Sequence, residues 1–231
     1  MPSCLRPVVA SLVAVSIASF ATADVVVGWS IPTALPNNPP PTGSSYVYGI
    51  ADSGANAAGS SLSGFHAAAA AAWTSPSGNG SQYALSSNNW AIGDYYEIRF
   101  SGAGFATMSV SWDQARSSTG PSGFELIMSL DGGANFSLMG NYTVLQSGGG
   151  GAPGTWSSST YNPLYTNSAA LGPLADDRAD VILRFRALTA AGAATGSNRI
   201  DNIVVSGTVV PAPGAIALLG FAGLAASRRR R

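Results

Sequence analysis

Few residue types in this chain can carry chemistry. There is one histidine, His66, ahead of an alanine run, and one cysteine, Cys4, near the start. A lone histidine cannot build a metal cluster. A Ser-His-Asp site would need the fold to bring a serine and an acid beside it. Serines are too numerous to single one out, and no Gly-x-Ser-x-Gly elbow occurs. His66 therefore reads as a structural or exposed residue. Glu97 and Glu125 are the only glutamates. Each falls on the polar phase of a strand pattern, and a glycosidase pair is defined by a separation in space, so they read as surface charges. Asp176, Asp177 and Asp180 cluster before a strand, and Asp201-Asn202 sit on the last one. Calcium favours such oxygens, so a structural Ca²⁺ is one reading; solvated loop charge with an Arg199–Asp201 contact is the other. Asp131-Gly132-Gly133-Ala134-Asn135 fits no EF-hand spacing and reads as a hairpin turn. No catalytic residue, metal-ligand set or cofactor is assigned, and an enzyme is not expected.

The aromatics carry the better lead. Trp90, Tyr95, Trp156 and Tyr161 lie in loops or on the polar phase, where burial does not account for them automatically. Aromatic bodies with polar edges stack on sugar rings, so these four are candidate glycan contacts. The alternative is packing beneath long loops.

The elements that must position these residues are strands. Tyr96, Ile98 and Phe100 alternate with Tyr95, Glu97 and Arg99. The same period of two runs through Met108–Trp112, Phe124–Leu130, Val181–Arg186 and Ile200–Ser206. Such alternation marks antiparallel strands over a shared core. Met108, Val110, Trp112, Phe124, Leu126 and Phe185 are the expected core. Gly102-Ala103-Gly104, Gly120–Gly123 and Asp131-Gly132-Gly133 supply turns between strands. Val25–Trp29 and Tyr46–Tyr48 are shorter strand candidates. The stretch 32–45 is a proline-rich loop, residues 51–64 show no periodicity, and Ala67–Ala72 is ambiguous between a short helix and an extended run. With no long amphipathic helix, the expected fold is an all-β antiparallel sandwich, jelly-roll-like, with a long loop at 146–176.

Both ends carry different signals. Residues 1–23 read as a secretory signal peptide: Arg6, an apolar stretch from Val8 to Phe20, and the small-x-small site Ala21-Thr22-Ala23 for signal peptidase. Cutting there removes Cys4 and leaves no thiol. At the other end Pro211-Ala212-Pro213-Gly214 precedes an apolar run, 215–226, and the cluster Arg228, Arg229, Arg230, Arg231. Twelve residues make about 18 Å of helix, against about 30 Å of bilayer core. The run is therefore a short transmembrane helix with cytoplasmic arginines, suited to temporary retention. The domain between, 24–208, has six arginines, no lysine and all eleven acids. A balance near −5 disfavours nucleic acid.

The segment Val209–Arg231, with LLGFAGL and its terminal arginines, resembles the PEP-CTERM sorting tail of bacterial exported proteins, with Pro-Ala-Pro in place of the family's Pro-Glu-Pro. The resemblance implies an exosortase-type partner, cleavage near the prolines and a membrane intermediate. It also implies delivery to the cell surface or extracellular matrix. The blocks 78–105, 111–136 and 184–208 resemble a jelly-roll domain common in bacterial exported proteins, often beside such tails. That resemblance implies a fold and a compartment, without a catalytic function. The expected role is structural or adhesive at the surface. The alternative is a carbohydrate-binding module, with exopolysaccharide as its partner.

Overall fold

Period-two alternation forces each strand to bury one face, and in this chain two sheets meet over those faces. The computed structural model describes residues 23–211 except 38–39, 68–70, 149 and 151. The leader up to Thr22 and the tail from Ala212 onward, including Ala21, Pro213, Gly214 and Arg228–Arg231, lie outside the described residues. Ala23 and Pro211 are described, and both are exposed.

The chain runs through β1 (Asp24–Trp29), β2 (Ser45–Gly49), β3 (Ser61–Phe65), β4 (Trp73–Thr74), β5 (Leu85–Ser87), β6 (Tyr95–Phe100) and β7 (Phe105–Arg116). It continues through β8 (Gly123–Ser129), β9 (Ser137–Thr143), β10 (Leu145–Gln146), β11 (Thr166–Ala170), β12 (Val181–Ala187) and β13 (Asn198–Val209). Two single-turn 3₁₀ helices, Pro163–Tyr165 and Pro173–Ala175, are the helical content among the described residues. None is long and apolar enough to cross a membrane.

One sheet has the order β2-β3-β6-β12-β8-β9, antiparallel throughout. The other has the order β10-β7-β13-β5-β4, with β1 also on β13 and β11 also on β7. Its β10–β7 pairing is parallel. Tyr96, Ile98, Phe100, Phe124, Leu126, Leu183 and Phe185 from the first sheet are buried with Val110, Trp112, Ile200, Ile203 and Val205 from the second. Met108 joins them, so the expected core is the observed one.

Several strands come from stretches without a clean pattern. β3 overlaps the end of the small, polar stretch 51–64, and β11 lies inside the expected loop 146–176. Each is held by a neighbour that does alternate: β3 by β6, with Leu62 opposite Ile98, and β11 by β7, with Ala169 opposite Val110. Ala72 forms an extended bridge to Thr42. The proline-rich loop belongs to the domain, since Leu35 is buried and its amide donates to Ser75 Oγ at 2.9 Å.

Candidate functional site

The six-stranded sheet turns one face to the core and the other outward. On the outer face the register places Phe65 (β3), Tyr95 (β6), Arg186 (β12) and Glu125 (β8) in one row. The next row carries Ser63, Glu97, Arg184 and Ile127. Side chains in adjacent rows reach one another. Phe65 and Tyr95 stack with centroids 5.3 Å apart and planes 25° from parallel. The Arg184 guanidinium lies 4.1 Å from the Tyr95 ring centre and 4.2 Å from that of Phe136, which comes from the β8–β9 loop. Four planar groups from three strands and a loop thus form one continuous stack.

Ion pairs fix it in place. Arg184 Nε donates to Glu97 Oε2 at 2.6 Å, and Arg186 Nε to Glu125 Oε1 at 2.6 Å. Burial pushes the Tyr95 phenol above its usual range and the Glu97 charge adds to this, while the Arg184 charge opposes it. Phe65 remains 40 % exposed. The face therefore offers apolar ring surface beside fixed charges. Glu97 and Glu125 hold arginines on this sheet, as surface charges of a strand face do, although Glu125 is itself buried.

The β8–β9 turn closes as the sequence suggested. Asp131 Oδ1 accepts the Asn135 amide at 2.9 Å and Oδ2 accepts the Asn135 side-chain amide at 2.8 Å. These bonds, with one from Ser129, hold the Asp131 carboxyl down at about 2.

His66 has partners that the sequence could not indicate. Its Nε2 lies 2.8 Å from Ser87 Oγ and its Nδ1 lies 2.9 Å from Asp94 Oδ2. Burial acts to raise the Asp94 carboxyl. The His66 ring and the amides of Ala91 and Ala67 outweigh that effect and hold it below the usual range. These are Ser-His-Asp distances, but acyl transfer also needs room for a substrate carbonyl at the serine. Ser87 is 1 % exposed, and Trp73 and Trp90 pack edge-on against the imidazole. The trio is a buried polar group in the core, in which His66 Nδ1 is near Asp94 but makes no aligned hydrogen bond.

Trp90 itself is a correction. It is 3 % exposed and packs edge-on against Tyr96 and Phe124, and its indole N–H donates to the Ser87 carbonyl at 2.9 Å. A loop residue can still face inward where the loop crosses the end of the sandwich, and Trp90 does. It cannot touch a glycan. The other three candidates do not converge either. Tyr95 is on the outer face of the six-stranded sheet, while Trp156 and Tyr161 flank the seven-stranded one. Trp156 donates to the Ser77 carbonyl at 2.8 Å and packs edge-on against Tyr165. Tyr161, 52 % exposed, bonds its hydroxyl to Thr166 Oγ1 at 2.6 Å. Phe65 and Phe136 were missed, because a phenylalanine on a weak strand or in a turn has no pattern to mark it.

The acids considered for calcium are dispersed. Asp176 and Asp177 accept the amides of Thr107 and Gly104, and Asp180 pairs with Arg99 at 2.7 Å. Among the described residues no three His, Cys, Asp or Glu side chains converge on a metal position. Asp201 lies elsewhere, directly opposite Asp113 in the β7–β13 ladder. Its Oδ2 accepts the Asn79 amide at 2.8 Å and Ser81 Oγ at 2.5 Å. Asp113 takes Asn79 Nδ2, Asn202 Nδ2 and Thr166 Oγ1. A bulge between Asp201 and Val204, with Asn202 at φ 45°, turns Asn202 into this group. The Arg199–Asp201 contact of the alternative reading is absent: the Arg199 guanidinium bonds Ser147 Oγ instead.

No family model matches the chain, and no curated protein does. Among solved structures it is similar to the K1 cleaved adhesin domain of Lys-gingipain from Porphyromonas gingivalis W83. The identity there is 10 %, covering 78 % of this chain and 96 % of that one, with a TM-score of 0.42. It is also similar to the CBM22-1–GH10 modules of a Clostridium thermocellum xylanase complexed with xylohexaose, at 15 % identity, 83 % and 30 % coverage and a TM-score of 0.44. A family 11 carbohydrate-binding module from the same organism gives 11 %, 80 % and 99 %, with a TM-score of 0.36. With each TM-score below 0.5 these are distant likenesses, and the two-sheet architecture rests on the strands described above.

Proposed function

We propose that this chain is an exported, non-catalytic surface domain that adheres to glycan through the outer face of its six-stranded sheet. The observation carrying this reading is the Phe65–Tyr95–Arg184–Phe136 stack. Cross-strand aromatic pairs add only about 0.2–1 kcal/mol to a sheet, so it is the exposure of this one that points to a partner. An exposed phenylalanine beside a tyrosine held by a guanidinium leaves ring area uncovered, with charged hydrogen-bonding groups next to it. Pyranose rings suit such a surface, since their C–H faces pack on aromatic planes and their hydroxyls reach charges at the rim. The leader and the PEP-CTERM-like tail supply the route to the surface in this reading, through signal peptidase and an exosortase-type enzyme.

The test is a glycan array followed by titration with the best neutral oligosaccharide. Tyr95→Ala and Phe65→Ala are each expected to weaken binding at least tenfold, about 1.4 kcal/mol, with the melting temperature little changed. Binding by both variants at wild-type strength removes this face from consideration.

A further inference from the structure

The arginines of the domain are partnered unequally. Arg99, Arg184 and Arg186 each pair with a carboxylate. Arg116 donates to the carbonyls of Val144, Ser117 and Ser118, and Arg178 to that of Leu174. Arg199 is different. Its one hydrogen bond among the described residues runs from Nη2 to the neutral Ser147 Oγ, at 2.9 Å. Its guanidinium lies 5.4 Å from the Trp156 ring centre. Burial lowers its pKa, and no carboxylate is among the groups that oppose the shift. All eleven acids lie among the described residues, and none forms a salt bridge with it. A half-buried cation without a counter-ion is costly, so its place in the fold calls for an anion from elsewhere.

That place is the wall of a cavity of about 290 Å³ on the seven-stranded side, lined also by Thr74, Pro76, Ser86, Asn88 and Ser197, and by Ser87, whose hydroxyl is buried against His66. The volume is at the lower edge of ligand pockets, which run to roughly 300–1,000 Å³. The lining sets hydroxyls and an amide beside apolar surface, and Arg199 is its one charged group. One guanidinium matches one carboxylate through its planar fork, whereas a phosphate dianion calls for more positive charge. The hydroxyl-rich remainder matches a polyol.

We infer that the Arg199 cavity is a second binding site, selective for an acidic sugar unit: a uronate whose carboxylate pairs with Arg199 and whose ring hydroxyls meet the Thr74 and Ser197 side. The inference shares with the proposed function the premise that the ligand is a saccharide, but it uses the opposite face of the sandwich.

The experiment is calorimetric titration of the full-length protein with trigalacturonate, its methyl ester, a neutral galactose trimer and inorganic sulfate, at low and high salt. The acid is expected to bind, weakening as salt rises, with the methyl ester at least tenfold weaker. Arg199→Gln should lose at least tenfold for the acid, and Arg199→Lys should fall between. Thr74→Val, whose shape is unchanged, keeps the test valid if Arg199→Gln lowers the melting temperature, and it should weaken the acid severalfold. Equal binding of acid and ester overturns the inference, as does sulfate binding as tightly as the trimer or wild-type affinity in the Arg199→Gln and Thr74→Val proteins. If neutral glycan still binds through Tyr95 while the acid does not bind at all, this site fails alone. Silence of both faces toward every saccharide fails both readings.

Discussion

Asp113 and Asp201 face each other across two strands, yet they are not equivalent. Asp113 receives three donors and Asp201 two hydrogen bonds, with Oδ1 of Asp201 left buried and unpartnered. Burial raises the Asp201 carboxyl to about 7, with the Asp113 charge adding to it. An unfolded aspartate titrates near 4. Between roughly pH 4 and 7 the folded chain keeps a proton that the unfolded chain has lost, so stability falls as pH rises, by about 1.4 kcal/mol per unit. Above pH 7 the whole loss is in place. Thermal melts should therefore show a higher melting temperature at pH 5 than at pH 8, and Asp201→Asn should flatten that difference. Parallel pH profiles for the two proteins would exclude Asp201 as the source. None of this is visible in the string Arg-Ile-Asp-Asn. The sequence shows that Asp201 is on the last strand, but its opposition to Asp113 depends on a pairing 88 residues away in the chain. His66 and Trp90 teach the same lesson: composition marks them as unusual, while only the crossing of loops over the sandwich end makes them core.

At the scale of elements, pattern and structure agree wherever a strand has both a buried and a solvent face. β6, β7 and β13 are legible for that reason, whereas β8 and β12 alternate in residue type although most of their residues are buried. β4, β5 and β11 are not, since they are short or small-residue strands whose place is set by a neighbour's open edge. Gly64 in β3 shows how far such a strand depends on its partners. A side chain there would collide with the six-membered ring of Trp73, which lies over it from the other sheet. Trp112 and Phe124 sit at the centre of the sandwich, 2 % and 0 % exposed, joined through Tyr142. Truncating either to alanine should cost about 3–5 kcal/mol, a large share of an ordinary domain's stability. Denaturant titration checks this; a midpoint unchanged by either truncation would refute the core assignment.

At the scale of the whole molecule, the proposed export rests on the two terminal segments of the sequence. Protein recovered from the cell surface should begin at Asp24 and end near Pro213, by intact-mass measurement. Replacing Pro211 and Pro213 with alanine should leave membrane insertion intact but stop processing, because a helix could then run through the cut region. Surface protein retaining Arg231 would instead make the tail a permanent anchor. The pairing of β1 with β13 sets Asp24 beside Gly207, so the domain's first and last strands meet at one end of the sandwich. With the tail held in a bilayer, as proposed, tension from a ligand would reach the membrane through β13. This strand lies inside its sheet, bonded to β7 along most of its length. A pull along it loads many hydrogen bonds in shear at once, whereas pulling the two ends apart would open the β1–β13 pair one bond at a time. The domain is thus expected to resist a pull along β13 and to yield to one that separates its own termini.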